Sequence, residues 1–236
     1  MDRGIRLSFY DLADDRRDAY LEWLHERYLP ALVKRPGIEW AAHYLAEQGP
    51  PPERLVHTGD AKVATGGDYI LLVGATDANV FAPPHPHETF EPVTPDEDTM
   101  LALRRRERSG IMAEQARASG PATRGEDVKG TARAIQLGTF NALPEDEDAL
   151  LAWYARWRMP CMQKLPGLER VRKLVGVSGW ARHGVLYEFS SMEERHAHFP
   201  THEQPYPELE AWTDKVVRRL IHAPRSPQLG TRIWPV

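Results

Sequence analysis

The pattern of apolar and polar residues predicts a strand at two matching places in the chain. Residues 5–10 and residues 135–140 alternate between two faces and lie 130 positions apart. In the first of these strands, one face is apolar and the other carries Arg6, Ser8 and Tyr10. Alternation with a period of two is typical of a strand that is half buried.

A helix is predicted after each strand. Apolar side chains recur every three or four positions in residues 20–32 and 150–161, as on the buried face of a helix. Both helices contain the pattern W-x6-P-x5-P-G, which begins at Trp23 and, in the second copy, at Trp153. A proline inside a helix costs roughly 3 kcal/mol and bends or ends it. We therefore expect the same bend in both helices, each closed by a Pro-Gly turn.

Each copy continues with two strands, a second helix and a closing strand. The strands are predicted at residues 38–44, 69–73 and 111–117 in the first copy, and at 168–174, 185–189 and 229–234 in the second. The sequence Thr94-Pro95-Asp96-Glu97 has the form of a capping box with proline at the first helical position. We predict a helix that starts there and ends in the basic run at residues 104–108. We interpret this run as a solvated helix end and not as a nucleic-acid site, because no aromatic-interleaved groove motif accompanies it.

The two copies together predict an α+β protein made of two ferredoxin-like βαββαβ repeats. The first repeat covers residues 1–118, a glycine-containing linker covers residues 119–130, and the second repeat covers residues 131–236. A four-stranded sheet with both helices on one face leaves its other face bare. Burial of apolar surface contributes roughly 25 cal/mol per Å². We therefore expect the two sheets to cover each other and form an intramolecular α+β barrel.

The repeated pattern W-x6-P-x5-P-G, followed directly by a strand, resembles the dimeric α+β barrel superfamily and especially its EthD-like branch. The resemblance covers nearly the whole chain, twice, and implies a pocket enclosed between the two sheets. EthD-like proteins often carry a histidine two residues before the helix proline, where this chain has Tyr28 and Arg158. The role of that histidine therefore does not carry over. The superfamily includes cofactor-independent monooxygenases, isomerases, cyclases and haem-degrading enzymes, and the fold does not choose among them.

The composition and net charge of the chain limit the classes of molecule that it is expected to bind. The chain has 236 residues and a net charge of −4, so neither nucleic acid nor an anionic membrane attracts it in bulk. No apolar run approaches the roughly 20 residues that a membrane helix needs, and the first residues do not resemble a signal peptide. Cys161 is the single cysteine, which excludes an internal disulfide and favours a reducing compartment. We expect a cytoplasmic protein.

Polar residues on the predicted strands are the candidates for a small-molecule pocket. The face that carries Arg6, Tyr10 and His43 is expected to be the enclosed side, since buried polar groups need partners or a ligand. His43 is a candidate catalytic base, and Arg6, Tyr10 and Tyr69 are candidates for binding the substrate. The alternative is that His43 is a satisfied histidine of the barrel interior. Lys173 occupies the matching position of the second copy, so the chemistry would be confined to one side.

Two histidine–glutamate pairs, His87-Glu88 and His202-Glu203, add candidates at the mouth of the pocket. His87 is a second candidate catalytic residue and His202 a candidate for substrate binding, because imidazole transfers protons near neutral pH. The alternative is that both pairs only begin a helical segment and form local salt bridges. The chain has no H-E-x-x-H motif and no cysteine cluster, so we expect no metal site and no bound cofactor.

These observations leave three hypotheses about function. The first is an enzyme that acts on a hydrophobic metabolite by proton transfer or oxygenation, in a pocket between the two sheets. The second is a non-catalytic small-molecule-binding or scaffold protein of the same fold. The third is a haem- or metal-binding member. The sequence also leaves open whether the barrel stays monomeric or pairs again as a homodimer.

Overall fold

The computed structural model describes residues 2–49, 53–82, 94–125 and 128–236. Within these ranges, no helix is both long and apolar enough to cross a membrane. His87 and Glu88, which were predicted at the pocket mouth, lie outside the described residues.

The described residues of the first half form five strands and three short α-helices. Its strands are β1 (Gly4–Asp11), β2 (Ile38–Ala46), β3 (Val56–His57), β4 (Tyr69–Ala75) and β5 (Arg105–Ser119). Its helices are α1 (Asp14–Trp23), α2 (Leu29–Leu32) and α3 (Glu97–Leu101), with a π-helical turn at Leu24–Tyr28 and a 3₁₀ turn at Ala78–Phe81.

The second half repeats this plan with a longer second helical segment. Its strands are β6 (Ala134–Asn141), β7 (Leu168–Ser178), β8 (His183–Phe189), β9 (Ile221–His222) and β10 (Gln228–Trp234). Its helices are α4 (Glu147–Trp153), α5 (Met159–Met162), α6 (Met192–His198) and α7 (Pro207–Val217), with a π-helical turn at Tyr154–Arg158 and 3₁₀ turns at Pro144–Asp146 and Phe199–Thr201.

Eight of the strands close into one antiparallel barrel, which confirms the predicted fold class. The first half contributes the order β2-β4-β1-β5 and the second half the order β7-β8-β6-β10. In each half the first and third strands are central, as in a ferredoxin-like sheet. β5 pairs with β7, and β10 pairs with β2, so the edge strands of one half pair with those of the other. The two halves therefore shield each other's inner surface within a single polypeptide.

A π-helical turn precedes the helix proline in each half. The Leu29 amide donates to the Leu24 carbonyl, five residues back, before Pro30. The Met159 amide donates in the same way before Pro160. A widened turn holds one extra residue, which relieves the clash between the proline ring and the carbonyl four residues earlier. The bend expected from the repeated prolines is thus a widened turn through which the helix continues.

The interior of the barrel is filled with apolar side chains, which corrects the expected position of the pocket. The residues that pack there include Ile5, Leu7, Phe9, Tyr44, Leu72, Met112, Ile135, Leu137, Leu174 and Leu186. A cavity that borders Leu7, Phe9 and Met112 measures only about 20 Å³, which is room for about one water molecule. The expectation of a ligand pocket between the two sheets is therefore wrong for the described residues.

The polar face of β1 lies on the outside of the barrel, beneath the helices. Tyr10 packs with Tyr20, Trp23 and Leu24 of the helical layer. Alternation along β1 predicted correctly that Arg6, Ser8 and Tyr10 share a face, but the assignment of that face to the interior is wrong. The physical reason is that the apolar face fills the barrel, and the amphipathic helices cover the polar one.

The helix predicted from residue 94 to the basic run at residues 104–108 is helical only at Glu97–Leu101. It ends at Leu101, and β5 begins at Arg105 and runs alongside both β1 and β7. Arg104 is not a solvated helix end, since its side chain is only 6% exposed. Pairing with two neighbouring strands outweighed the local helix signals.

Candidate functional site

A cavity of about 710 Å³ lies between the outer face of the first-half sheet and the helix that covers it. This volume is typical of small-molecule sites. Its apolar wall includes Leu32, Ile38, Leu71, Val73, Val80, Phe81, Leu101 and Ile111. Its polar lining includes Arg6, Ser8, Tyr28, Arg35, Glu97 and Arg104. We call this space the first-half cavity.

Strand β1 supplies the polar floor of the first-half cavity. Arg6 lies between Val73 of β4 and Ile111 of β5, and Ser8 lies one pleat further along. Successive residues on one face of a strand are two positions apart, so both side chains reach the same space. The Arg6 guanidinium and the Ser8 hydroxyl have no hydrogen-bond partner among the described residues.

The π-helical turn brings Tyr28 to the opposite wall of the cavity. Burial, followed by the nearby Glu97 carboxylate, raises the pKa of Tyr28 above 10.0, while Arg104, Arg6 and Arg35 act in the opposite direction. The phenol therefore stays protonated at neutral pH and is surrounded by charged groups that line the same cavity.

Arg104 connects the cavity to the aromatic core behind it. Its Nε donates to the Tyr20 hydroxyl at 2.6 Å, and its Nη1 donates to Glu107 at 2.8 Å. Its guanidinium lies 4.5 Å from the centroid of the Tyr10 ring. The remaining nitrogen, Nη2, is buried and has no hydrogen-bond partner. Arg104 is thus held rigidly at the wall with one unused pair of N–H groups.

A row of hydrogen-bonded rings lies behind this wall. The Tyr10 hydroxyl is 2.8 Å from His43 Nε2, and His43 Nδ1 is 2.8 Å from Nε2 of His25. The rings of Tyr10 and Tyr20 pack edge to face, with their centroids 5.9 Å apart. The row therefore runs from Arg104 at the cavity to the half-buried His25 on the π-helical turn. His43 has a partner on each ring nitrogen.

Burial is the main cause of the shifted pKa values of His43 and Tyr10. Burial, then the neighbouring His25 and Arg104, lower the pKa of His43 well below 6.5. Burial also raises the pKa of Tyr10 well above 10.0. Both groups are therefore neutral at pH 7, so His43 has the protonation state of a base.

The first-half cavity gathers only part of the predicted site. Arg6 lines it, whereas Tyr10, His43 and Tyr69 form the stacked layer beside it and do not border it. His202 lies in the other half of the chain, and the proposed role of His87 stays a prediction because that residue is not described.

Arg158 of the second half forms a buried ion pair with Glu203. This arginine stands where the first half has Tyr28. Its Nε donates to the Tyr187 hydroxyl at 2.7 Å, and its Nη1 donates to Glu203 at 2.7 Å and to His202 Nε2. Its guanidinium also lies 5.1 Å from the centroid of the Phe199 ring. A satisfied buried ion pair thus stands where the first half has the phenol of Tyr28.

His202 is part of this buried arrangement. Its Nδ1 donates to the Phe199 carbonyl, so its Nε2 accepts from Arg158. Burial lowers the pKa of His202, and its side chain is only 6% exposed. His202 borders a second cavity of about 400 Å³ near Trp157 and Cys161, far along the chain from Arg6. Both of its ring nitrogens are already engaged.

Lys173, the counterpart of His43, is buried in the second half. Its Nζ donates to the Leu174 carbonyl at 2.8 Å and lies 3.1 Å from His183 Nδ1, whose Nε2 is 3.2 Å from Glu147. Burial lowers the pKa of Lys173 to about 7, against the influence of Glu147. The expected asymmetry between the two halves therefore extends to the buried layer.

Sequence reasoning missed three residues of this site. Tyr28 was noted only as a departure from the EthD-like pattern, and Arg104 was assigned to an exposed helix end. His25 was not considered. The signal for Tyr28 and His25 was present, because they stand two and five positions before the repeated proline. The widened turn that directs them inward is not visible in a pattern of helical period.

Comparisons with known proteins agree on the fold. A scan against known protein families finds no match, and no curated protein matches the sequence. Among solved structures, an anthrone oxidase-like protein is similar over 98% of this chain and 91% of its own, with a TM-score of 0.62 and 11% identity. A proposed monooxygenase from Fusobacterium nucleatum has a TM-score of 0.57 and 8% identity over 98% and 91% of the two chains.

A proposed chlorite dismutase is also similar, with a TM-score of 0.54 and 10% identity over 99% of this chain and 95% of its own. Because the sequence identities are so low, these structural similarities concern the fold alone. The chain therefore has the fold of the dimeric α+β barrel proteins, with both halves of the barrel in one polypeptide.

Proposed function

We propose that the protein is an enzyme that acts on a small hydrophobic metabolite bound in the first-half cavity, by proton transfer or oxygenation. The observation that carries this proposal is the asymmetry between the halves. The first half keeps a volume of about 710 Å³ lined by unpartnered polar groups, whereas the second half has the buried and fully paired Arg158 at the position of Tyr28.

The polar groups on the cavity wall are suited to orienting a reacting molecule. Tyr28 presents a protonated phenol, and Arg104 presents a fixed positive charge. His43 does not border the cavity, so it could act as the base only through its hydrogen bond to Tyr10. The descriptions of two structural neighbours, an anthrone oxidase-like protein and a monooxygenase, support oxygenation of an aromatic molecule.

We also assign the chain to the EthD-like branch of the superfamily as part of this proposal. The support is the pattern W-x6-P-x5-P-G, which occurs in both halves, and the widened turn that precedes the helix proline each time. Tyr28 stands on the cavity wall at the position where that branch often has a histidine. A cytoplasmic location is proposed on the basis of the single free thiol of Cys161.

Turnover of aromatic compounds tests the proposal. The purified protein is incubated in air with a panel of polycyclic phenols and ketones, and oxygen uptake and product formation are measured. The panel also includes polycyclic aromatic carboxylic acids. We expect turnover that is lost in Ile111→Trp, which fills the first-half cavity, and retained in Lys164→Met, which alters only the wall of the second cavity. Turnover that survives Ile111→Trp would contradict the proposed site.

Two other functions remain as alternatives. A binding or scaffold protein is favoured by the complete hydrogen bonding of His43, and ligand binding without any turnover would support it. A haem- or metal-binding protein draws support from the chlorite dismutase neighbour. However, the described lining of the first-half cavity contains neither histidine nor cysteine, and no group of three or more metal-binding side chains occurs in the described part of the chain. The absorbance spectrum of the purified protein tests for haem.

A further inference from the structure

We propose that the first-half cavity binds a hydrophobic carboxylate, with the carboxylate group held by Arg104, Arg6 and Ser8 and the apolar body of the ligand against the aliphatic wall. This inference rests on the proposed function, because it specifies the chemical class of the molecule that the cavity binds. The ligand is thus an acid and not a neutral hydrocarbon or ketone.

The first step of the argument is the unused donor on Arg104. Two of its nitrogens are engaged by Tyr20 and Glu107, but Nη2 is buried without a partner. A buried donor left unsatisfied costs roughly 1–3 kcal/mol, and native proteins leave few such groups. Because Arg104 also lines the cavity, a ligand oxygen is the partner that would satisfy it.

The second step is the convergence of Arg6 and Ser8 on the same space. Both lie on the outer face of β1 and line the cavity, and neither has a hydrogen-bond partner in the described part of the protein. A carboxylate has two oxygens that accept several hydrogen bonds, and guanidinium groups match its planar geometry. The two arginines and the hydroxyl therefore provide a set of donors without a resident acceptor.

The third step is the charge of the cavity wall. Its described lining contains three arginines, Arg6, Arg35 and Arg104, and one acid, Glu97. Arg35 and Glu97 already take part in interactions within the protein, and Arg104 is paired with Glu107. Positive charge still exceeds negative charge along the lining, and Arg6 forms no ion pair with any described residue. An anion is therefore attracted to the cavity, whereas a cation is repelled.

The fourth step is the composition of the remaining wall. Leu32, Leu71, Val73 and Ile111 are aliphatic, so a small inorganic anion would leave most of the cavity in contact with water. Burial of an apolar body against these side chains contributes roughly 25 cal/mol per Å². The combination favours a molecule with one anionic end and a flat or branched apolar end.

A pair of matched ligands tests this inference. Naphthoate and naphthamide have nearly the same shape and differ in charge, and titration calorimetry gives the Kd of each. Phenylnaphthylamine, a neutral fluorescent probe, reports separately whether the cavity binds an apolar molecule at all. We expect naphthoate to bind at least about tenfold more tightly than naphthamide, since charge-assisted hydrogen bonds contribute roughly 1.5–3 kcal/mol.

Two arginine variants test where the carboxylate of the ligand binds. Arg6→Gln and Arg104→Gln are each expected to weaken naphthoate binding by roughly tenfold to a hundredfold and to leave naphthamide binding within about twofold. Near-UV circular dichroism would show whether Arg104→Gln disturbs folding. Arg6 is exposed, so the Arg6→Gln variant keeps the test valid even in that case. Arg3→Gln, at an exposed arginine outside the cavity lining, is the matched control and should change neither affinity.

Different results would contradict the inferred carboxylate and the proposed function. If phenylnaphthylamine binds and Ile111→Trp abolishes its binding, but naphthoate and naphthamide bind equally, the inferred carboxylate is wrong and the cavity remains a hydrophobic site. If none of the three compounds binds, or if their binding survives Ile111→Trp, the proposed function is overturned together with this inference.

Discussion

Arg172 on β7 donates to the carboxylate of Asp2, with 2.7 Å between Nη1 and Oδ2, although the two residues belong to opposite halves of the chain. The same carboxylate accepts from Trp40 at 2.5 Å and from Arg117 at 3.1 Å. Arg172 in turn donates to Glu188 at 2.8 Å and is completely buried. The beginning of the first half is thereby fixed to the sheet of the second.

Asp2→Asn should destabilise the protein by about 3–5 kcal/mol, because it leaves the buried Arg172 without one of the two carboxylates to which it donates hydrogen bonds. Urea unfolding followed by circular dichroism measures the loss. Asp15→Asn is the matched control, since Asp15 lies on the surface with its side chain 76% exposed. A loss below about 1 kcal/mol, similar to that of the control, would show that the cluster does not hold the halves together.

Acid should weaken the protein through the same carboxylate. Burial alone would raise the pKa of Asp2, but Arg172 and the other donors hold it at about 2, below its ordinary value of 3.8. The ionised form is therefore favoured in the folded protein. Its stabilisation, about 2 kcal/mol, is fully present above pH 4 and is lost as the pH falls towards 2. Urea midpoints across this range should fall more steeply for the native protein than for Asp2→Asn, and parallel curves would contradict the assignment.

Lys173 should make the protein more stable as the pH rises above neutrality. Burial lowers its pKa from 10.5 to about 7, so between these values the unfolded chain binds a proton that the folded protein does not. Stability increases with pH wherever the unfolded state binds more protons. Lys173→Met should abolish the increase between pH 7 and 10, whereas the exposed Lys164→Met should retain it. Unfolding free energies at several pH values measure the slope, and an unchanged slope in Lys173→Met would contradict a neutral buried lysine.

Tyr10→Phe should cost roughly 1–3 kcal/mol, because it leaves His43 Nε2 buried without its partner at 2.8 Å. The ring itself is retained, so its packing against Tyr69 stays intact. Tyr206→Phe, at a largely exposed tyrosine, should have no measurable effect. Binding of phenylnaphthylamine should be preserved in Tyr10→Phe, because Tyr10 does not line the cavity. Loss of binding without loss of stability would mean that Tyr10 contacts the ligand directly.

The local sequence pattern was sufficient to predict the strands of the barrel. It was not sufficient to predict on which side of the sheet the ligand binds. Both faces of β1 are buried, one in the barrel around Leu7 and one beneath the helices around Tyr10. Alternation therefore distinguishes the two faces without saying which of them is enclosed. The polar face was assigned to the interior because a pocket was expected there, and only the packing of the helices shows otherwise.

The error at Arg104 has a different cause. A capping box and a basic end are local signals of a helix, and they did produce the short helix Glu97–Leu101. The residues after it pair with β1 and β7, which are distant in sequence. Long-range pairing of this kind is not encoded in the neighbouring residues, so the inward position of Arg104 could not be read from them.

The two halves carry different side chains at matching positions, Tyr28 in the first and Arg158 in the second. This difference has a genetic consequence. In a barrel built from two identical chains, every substitution appears twice, so a change that closes one cavity closes both. Fusion of the copies removes this constraint, because Tyr28 and Arg158 mutate independently. The first half can therefore keep Tyr28 on the wall of its cavity while the second half has the ion pair of Arg158 and Glu203 at the matching position. Titrations should accordingly saturate at one ligand per polypeptide.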